Sequence, residues 1–331
     1  MDLTEALELS NDLSIRFMPK RGPRPLALLG TLSRMPAGPA RWGSEDELES
    51  KLGVGVSPGK GPRDWRVAIR AWHKEDLEQK RVEREVSRLR DAVDIRITGP
   101  IRALPAEVPQ PIADIRRQRP LVPGCSIAHY QVGAGTLGAF VRDGSGQVQI
   151  LSNNHVLAQV NEASIGDVIL QPGKHDGGVM ADKVGQLKAF HWLQDAGNVV
   201  DAAVADIEPQ HLPSDFSIPG IGRIAGVFPG AQPVGAGRVQ KVGRSTGKTD
   251  GHITALGLRN LPVQFGSRTL RFDNVVEIEG TDRPFSDSGD SGSLIVNADR
   301  LAVGLLFGGT GQSTYCNPVA KVLEVMALQL L

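Results

Sequence analysis

The sequence predicts a mainly β protein in which a small α/β unit precedes a long all-β region. Three observations lead there. From residue 118 onward, short runs that alternate apolar with polar are separated by glycine, Asp-Gly or proline, and helical periodicity is missing until the last dozen residues. Ahead of that region, 53–56 and 64–72 alternate as half-buried strands do. Between 74 and 93 the apolar positions Val82, Val86, Leu89 and Val93 recur at helical spacing among mixed charges, and 93–97 is strand-like again, which gives a β-β-α-β order.

Composition narrows the function classes. The chain has 331 residues, 37 basic and 37 acidic, with 39 glycines, enough for a large core. A net charge of zero argues against nucleic acid and against a membrane surface, and no run approaches the ~18 apolar residues that span a bilayer. Met1-Asp2-Leu3-Thr4-Glu5 starts acidic, unlike a basic-then-apolar leader, so no secretion signal is expected. Cys125 and Cys316 allow at most one disulfide; that usage suits a reducing compartment, and the expected location is cytoplasmic.

In chain order, 3–9 reads as a short helix, and 18–43, broken by Pro19, Pro23, Pro25, Pro36 and Pro39, as an extended arm. The α/β unit follows. Prolines return over 100–123 together with Arg116, Arg117 and Arg119, marking a boundary. The expected division is therefore an arm at 1–52, an accessory unit with its linker at 53–117, and a β domain at 118–331. Within the last, the clearest strands are 136–142, 148–152, 167–170, 184–190, 201–207, 237–242, 252–256, 274–278, 294–297 and 301–307, and 319–331 closes the chain as an amphipathic helix.

The stretch around which these elements are organised is Gly289-Asp290-Ser291-Gly292-Ser293. A serine hydroxyl needs a base within hydrogen-bond reach and backbone N–H groups aimed at the oxyanion it creates. Glycines without a Cβ permit such a turn, with the amides of Gly289 and Ser291 converging on one oxygen. Two sharper-looking motifs fail on context. Gly243-Arg244-Ser245-Thr246-Gly247 matches a nucleophile elbow, but a strand-like run follows it and His252 is the only histidine downstream. It also approaches a phosphate-binding loop, which needs four residues between its glycines where this segment has three. A glycine-rich hairpin is the reading that remains.

His155 follows the strand 148–152 and the pair Asn153-Asn154, at a strand end or in a loop. Asp201 opens an apolar strand, where a buried carboxylate needs a hydrogen-bond donor, and a histidine ring supplies one. Asp206, further along the same strand, is the rival, and Asp201 is favoured because it stands at the strand's edge. The order His155, Asp201, Ser291 in a β-rich region resembles the chymotrypsin-like (trypsin-fold) serine endopeptidases of bacterial type, over 118–331. Asn153-Asn154-His155-Val156-Leu157-Ala158 has a narrower resemblance to plant narrow-leaf proteins and their bacterial relatives.

The resemblance implies a double β-barrel with the site between the barrels. It makes Ser291 the nucleophile, His155 the general base, Asp201 the residue that fixes the imidazole tautomer, and the Gly289 and Ser291 amides the oxyanion hole. It makes Gly243–Gly251 the bacterial-type hairpin, and Phe307-Gly308-Gly309 the segment that binds substrate backbone and lines the primary pocket, with Phe285 at its base and an apolar residue preferred. The alternative, Phe285 packed into the barrel and Asp287 reaching the pocket instead, would select Arg or Lys. No metal or organic cofactor is implied. Val156 stands where many secreted members carry a cysteine, and Arg119-Pro120 is a poor activation bond, so Asp290 is expected to find an internal partner rather than a freed N-terminus. The implied function is serine endopeptidase action on protein or peptide substrates. The alternatives are an inactive protease-like scaffold that binds a partner, or an esterase with the same triad. Residues 1–117, outside the resemblance, are expected either to restrain the site or to recruit a regulatory or substrate partner.

Overall fold

The computed structural model describes residues 1–17, 51–61, 63–103, 117–230, 233–235 and 237–331. The arm expected over 18–43, and 104–116 of the proline-rich connection, lie outside them.

Helix α1 (Leu3–Phe17) runs well beyond the expected 3–9, because its small and apolar series continues through Ser10, Leu13, Ser14 and Phe17 on one buried face. That face covers the antiparallel pair β1 (Leu52–Pro58) and β2 (Trp65–Ala71), and β3 (Val93–Ile97) lies parallel to β2 after helix α2 (Lys80–Leu89). The β-β-α-β order is the one expected. The helix is shorter than 74–93, since 3₁₀ turns occupy Lys74–Asp76 and Arg90–Ala92, and Arg90 with φ +50 breaks the α run. Two residues then form β4 (Arg102–Ala103).

The first β unit contains β5 (Ser126–His129), β6 (Gly135–Thr136), β7 (Ala139–Arg142), β8 (Val148–Ser152), the helical turn α3 (Asn154–Leu157), β9 (Val168–Leu170), β10 (Lys183–Phe190) and β11 (Ala203–Asp206). The run expected as one strand over 136–142 is divided at Leu137-Gly138. A Cβ on Gly138 would sit 2.1 Å from the Gly292 carbonyl oxygen, so this chain passes against the turn beside Ser291 in a way only glycine allows. Ile127, Phe140, Ile150, Val156, Leu157, Val184 and Leu187 fill the unit's core.

The second unit comprises β12 (Gly226–Val227), β13 (Arg238–Gly243), β14 (Gly247–Arg259), β15 (Leu261–Phe265), β16 (Arg268–Phe272), β17 (Val275–Gly280), β18 (Leu294–Asn297), β19 (Leu301–Gly309) and β20 (Ser313–Pro318). Six of these close a ring in the order β13-β14-β17-β20-β19-β18 and back to β13. Helix α4 (Val319–Met326) ends at Ala327, whose φ is +54, so the helix expected over 319–331 stops early. The chain then returns as β21 (Gln329–Leu330), which pairs with β7. With β21 included, the first unit is an eight-stranded curled sheet in the order β21-β7-β8-β11-β10-β9-β5-β6. The whole is mainly β, with two barrel-like units.

The N-terminal strands join the second barrel directly: β1 pairs with β14, and one sheet runs on through β2 to β3. Behind that seam the fully buried Arg70 guanidinium donates to both Glu277 oxygens at 2.8–3.0 Å and to Asp94 at 2.8 Å. Thr254 Oγ1 and the Tyr315 hydroxyl also donate to Glu277. Cys125 and Cys316 are free and buried in different cores, and burial pushes the Cys125 thiol up to about 12.

Candidate active site

His155 is placed by the asparagines ahead of it. Strand β8 ends at Ser152, and the Asn153 side chain donates to the Asp201 carbonyl at 2.7 Å. Asn154 donates to Asn161 Oδ1 at 2.8 Å and to the His191 carbonyl at 2.7 Å, and accepts from the Asn161 amide. These bonds hold α3 so that His155 Nδ1 donates to Asp201 Oδ2 at 2.6 Å, while the His155 amide donates to Oδ1 at 3.3 Å. Asp201 lies just ahead of β11 rather than on it, and its own amide donates to Asn317 Oδ1 at 2.8 Å. Asp206 stands at the far end of β11 and faces Lys188 at 3.5 Å. With Nδ1 committed as a donor, the lone pair of the neutral ring is at Nε2. That atom is buried, with no hydrogen-bond partner among the described residues. The Phe265 ring meets the imidazole edge-on, centroids 5.8 Å apart.

Ser291 sits in a turn ahead of β18, flanked by Gly289 at φ +97 and Gly292 at φ +96, where L side chains are strained. The turn is anchored through Asp290, whose carboxylate accepts from Lys241 Nζ at 3.0 Å, the Ser245 amide at 2.8 Å, Thr246 Oγ1 at 2.6 Å and the Asp287 amide at 3.0 Å. Burial lowers the Lys241 pKa, against the pull of Asp290 that raises it. Asp290 thus has the internal partner expected of it, and the Gly243–Gly247 hairpin that mimicked other motifs supplies the Ser245 amide and both the amide and hydroxyl of Thr246 as donors. The Ser245 hydroxyl also donates to the Ser288 carbonyl. In a trans peptide the C=O and N–H point oppositely, so this bond turns the Gly289 N–H away from the hairpin. Thr136 Oγ1 fixes the next carbonyl, Gly289 O, at 2.8 Å.

The two halves of the site meet at β6. The Thr136 amide donates to the Ser291 carbonyl at 2.8 Å. A Cβ on Gly135 would lie 2.5 Å from Val156 Cγ2 and 3.2 Å from Ser291 O, so the residue after His155 and the serine backbone converge on one point. The Ser291 hydroxyl stands 3.5 Å from the Phe307 carbonyl oxygen. Phe307 stacks on Phe272 at 4.7 Å and Phe272 on Phe265 at 5.8 Å, an aromatic row that leads back to His155.

Phe285, expected at the base of a pocket, is packed in the second barrel's core with Ala6, Val56, Ile278, Ile295 and Leu306. Gly251 makes the room: a Cβ there would lie 2.6 Å from the Phe285 ring. Asp287 is exposed. Gly308 and Gly309 lie on β19, paired with Ala103 and Arg102 of β4. Among the described residues no three His, Cys, Asp or Glu side chains group as metal ligands. Sequence reading passed over Lys241, Asn317 and Thr136. Lys241 alone left a signal, a cation at an inward position of an alternating strand.

Protease A of Thermobifida fusca is 19% identical with a TM-score of 0.45, covering 63% of this chain and 97% of its own. In structure the chain is similar to the bacterial chymotrypsin-like serine proteases. A glutamic-acid-specific serine protease is 20% identical with a TM-score of 0.47, covering 64% of this chain and all of its own, and the Nocardiopsis protease is 22% identical with a TM-score of 0.44, covering 63% and 97%. These likenesses are of fold, at identities too low to carry chemistry. No family model and no curated protein matches the sequence.

Proposed function

We propose that the protein is a serine endopeptidase working through an acyl-enzyme on Ser291. The observation that carries this reading is the buried His155–Asp201 pair, which commits Nδ1 at 2.6 Å and leaves Nε2 as the basic nitrogen of the ring, on a helical turn whose Val156 converges with the Ser291 backbone at Gly135. In the proposed sequence Nε2 takes the Ser291 proton as Oγ bonds to a peptide carbonyl carbon. The carbonyl oxygen becomes an oxyanion facing the Gly289 and Ser291 amides. The imidazolium, paired with Asp201, then protonates the leaving amine as the C–N bond breaks, and water repeats the cycle to release the acyl group. Asp290, locked by Lys241, holds the oxyanion turn without a freed N-terminus. The substrate is a protein or peptide chain.

The test is covalent labelling by a fluorophosphonate together with hydrolysis of a peptide library. Ser291→Ala should lose both while retaining its circular dichroism, and His155→Ala should do the same because the two act as a unit. Labelling that persists at full rate in His155→Ala would overturn the mechanism. Turnover of small esters with no peptide cleaved would assign the site to an esterase instead.

A further inference from the structure

The edge of β19 nearest the serine is already taken by the chain itself. Arg102 pairs with Gly309 and Ala103 with Gly308, antiparallel, while on its other side β4 runs parallel to β15 with Arg102 opposite Gln264. The Gln264 amide donates to the Ile101 carbonyl at 2.7 Å. The sheet order β15-β4-β19 therefore exists only because these residues fill the gap. One strand lies against each half of the site. Phe265 at the end of β15 meets the His155 ring, and Phe307 on β19 presents the carbonyl that faces the Ser291 hydroxyl. Ile101 and Ala103 point into the same apolar cluster as Phe265, Phe307 and Leu193, with the exposed Arg102 between them. Contact is close enough that a Cβ on Gly308 would lie 2.9 Å from the Arg102 carbonyl oxygen. Because the pairing is antiparallel, the chain travels from Gly309 towards Phe307 as it goes from Arg102 to Ala103. It heads towards the serine.

An exposed strand edge beside a nucleophile is where an extended peptide gains main-chain hydrogen bonds, with alternate side chains in pockets. We infer that Ile101–Ala103 is an intramolecular occupant of that edge, so that a peptide substrate must displace β4 before it can pair with Gly308 and Gly309. The occupant has the features of a bound peptide: two antiparallel backbone pairs, a buried side chain on either side of an exposed one, and main-chain and apolar holds on its partners, joined by a single long side-chain bond from Arg102 Nε to Gln264 Oε1 at 3.4 Å among the described residues. His155 and Ser291, 3% and 0% exposed, are covered in this arrangement. This inference rests on the proposed peptidase reading.

Two variants of the full chain test it. Ile101→Asp puts a charge into the apolar cluster and should expel β4. Arg102→Cys with Gln264→Cys should fix β4 in place when oxidised and release it when reduced, and the native thiols, buried in separate cores, do not compete. The readouts are fluorophosphonate labelling of Ser291 and cleavage of a library of short peptides. Ile101→Asp should raise both rates by about tenfold or more over the natural chain, and oxidation of the double variant should abolish peptide cleavage that reductant restores. Equal rates in the natural, released and oxidised forms overturn the inference and leave the peptidase standing. A folded Ile101→Asp that is slower also overturns it, since β4 would then be part of the working site. If Ile101→Asp fails to fold, the oxidised and reduced double variant decides alone. No labelling in any form sinks the peptidase reading itself.

Discussion

At the scale of single residues, the distinction between Asp201 and Asp206 is the sharpest to test. Asn at 201 would present an amide to Nδ1 and favour the tautomer with its proton on Nε2, which cannot accept from serine. On the proposed mechanism Asp201→Asn is expected to lower kcat by about 10⁴-fold, with stability nearly unchanged. Asp206→Asn, at a half-exposed pair with Lys188, should stay within about twofold of the parent, since such pairs contribute ~0–1 kcal/mol. Lys241→Met should behave differently from both. It strands a buried carboxylate, so a loss of about 3–5 kcal/mol in urea unfolding is expected together with lost labelling at Ser291. Ser291, His155 and Asp201 could be singled out because each carries a local mark: a glycine-flanked serine, a strand-end histidine, a carboxylate at the mouth of an apolar run. Of the two places open to Phe285, pocket base or barrel core, sequence could not choose, because a phenylalanine looks the same in both. What separates the two is Gly251, a partner remote in sequence whose missing side chain makes room for the ring.

At the scale of elements, alternation located most strands but not their interruptions. The break between β6 and β7 has no period of its own; it is forced by the approach of Gly138 to Gly292. Gly138→Ala should therefore cost about 1–3 kcal/mol by overpacking and, unlike an ordinary core change, should also slow fluorophosphonate labelling, because the displaced atom belongs to the Ser291 turn. The hairpin of β15 and β16 escaped notice since Pro262, Arg268 and Arg271 disguise its alternation. Helix α4 stopped short of its periodic run because β21 gains backbone pairs with β7 that a further helical turn would forgo. In each case a contact made across the molecule overrode a local pattern.

At the scale of the whole molecule, strands β1 to β4 share one sheet with the barrel, sealed by the ions around Glu277. Burial alone would raise the Glu277 pKa, but the Arg70 guanidinium and its hydrogen bonds hold it below the ordinary carboxylate value, and Asp94 is lowered in the same way. Both carboxyls have folded pKa values depressed below their unfolded ones. Their stabilisation is thus complete above the ordinary carboxylate range near pH ~4 and lost as pH falls through the lower, folded values. Urea midpoints measured between neutral and acid pH should fall in that window for the parent and fall less for Glu277→Gln, which starts less stable. Removing residues 1–100 would uncover the β14 edge and leave Glu277 without Arg70, so that fragment is expected to be insoluble or unfolded on size-exclusion chromatography. No sequence pattern announced this seam, because the buried Arg70 and Glu277 lie in segments read as separate units.

The connection from β3 to β4 consists of Thr98 to Ile101 alone, with the Thr98 and Gly99 amides tied to the carbonyls of Ala71 and Trp72. A rival for the serine cleft that is moored so closely cannot be diluted away, and its presence is the same at every protein concentration. On the inference above it would act, in kinetic language, as a competitive inhibitor of fixed dose. Saturating peptide should drive it out and reach the full kcat, while the KM of the natural chain exceeds that of the released form by one plus the ratio of closed to open molecules.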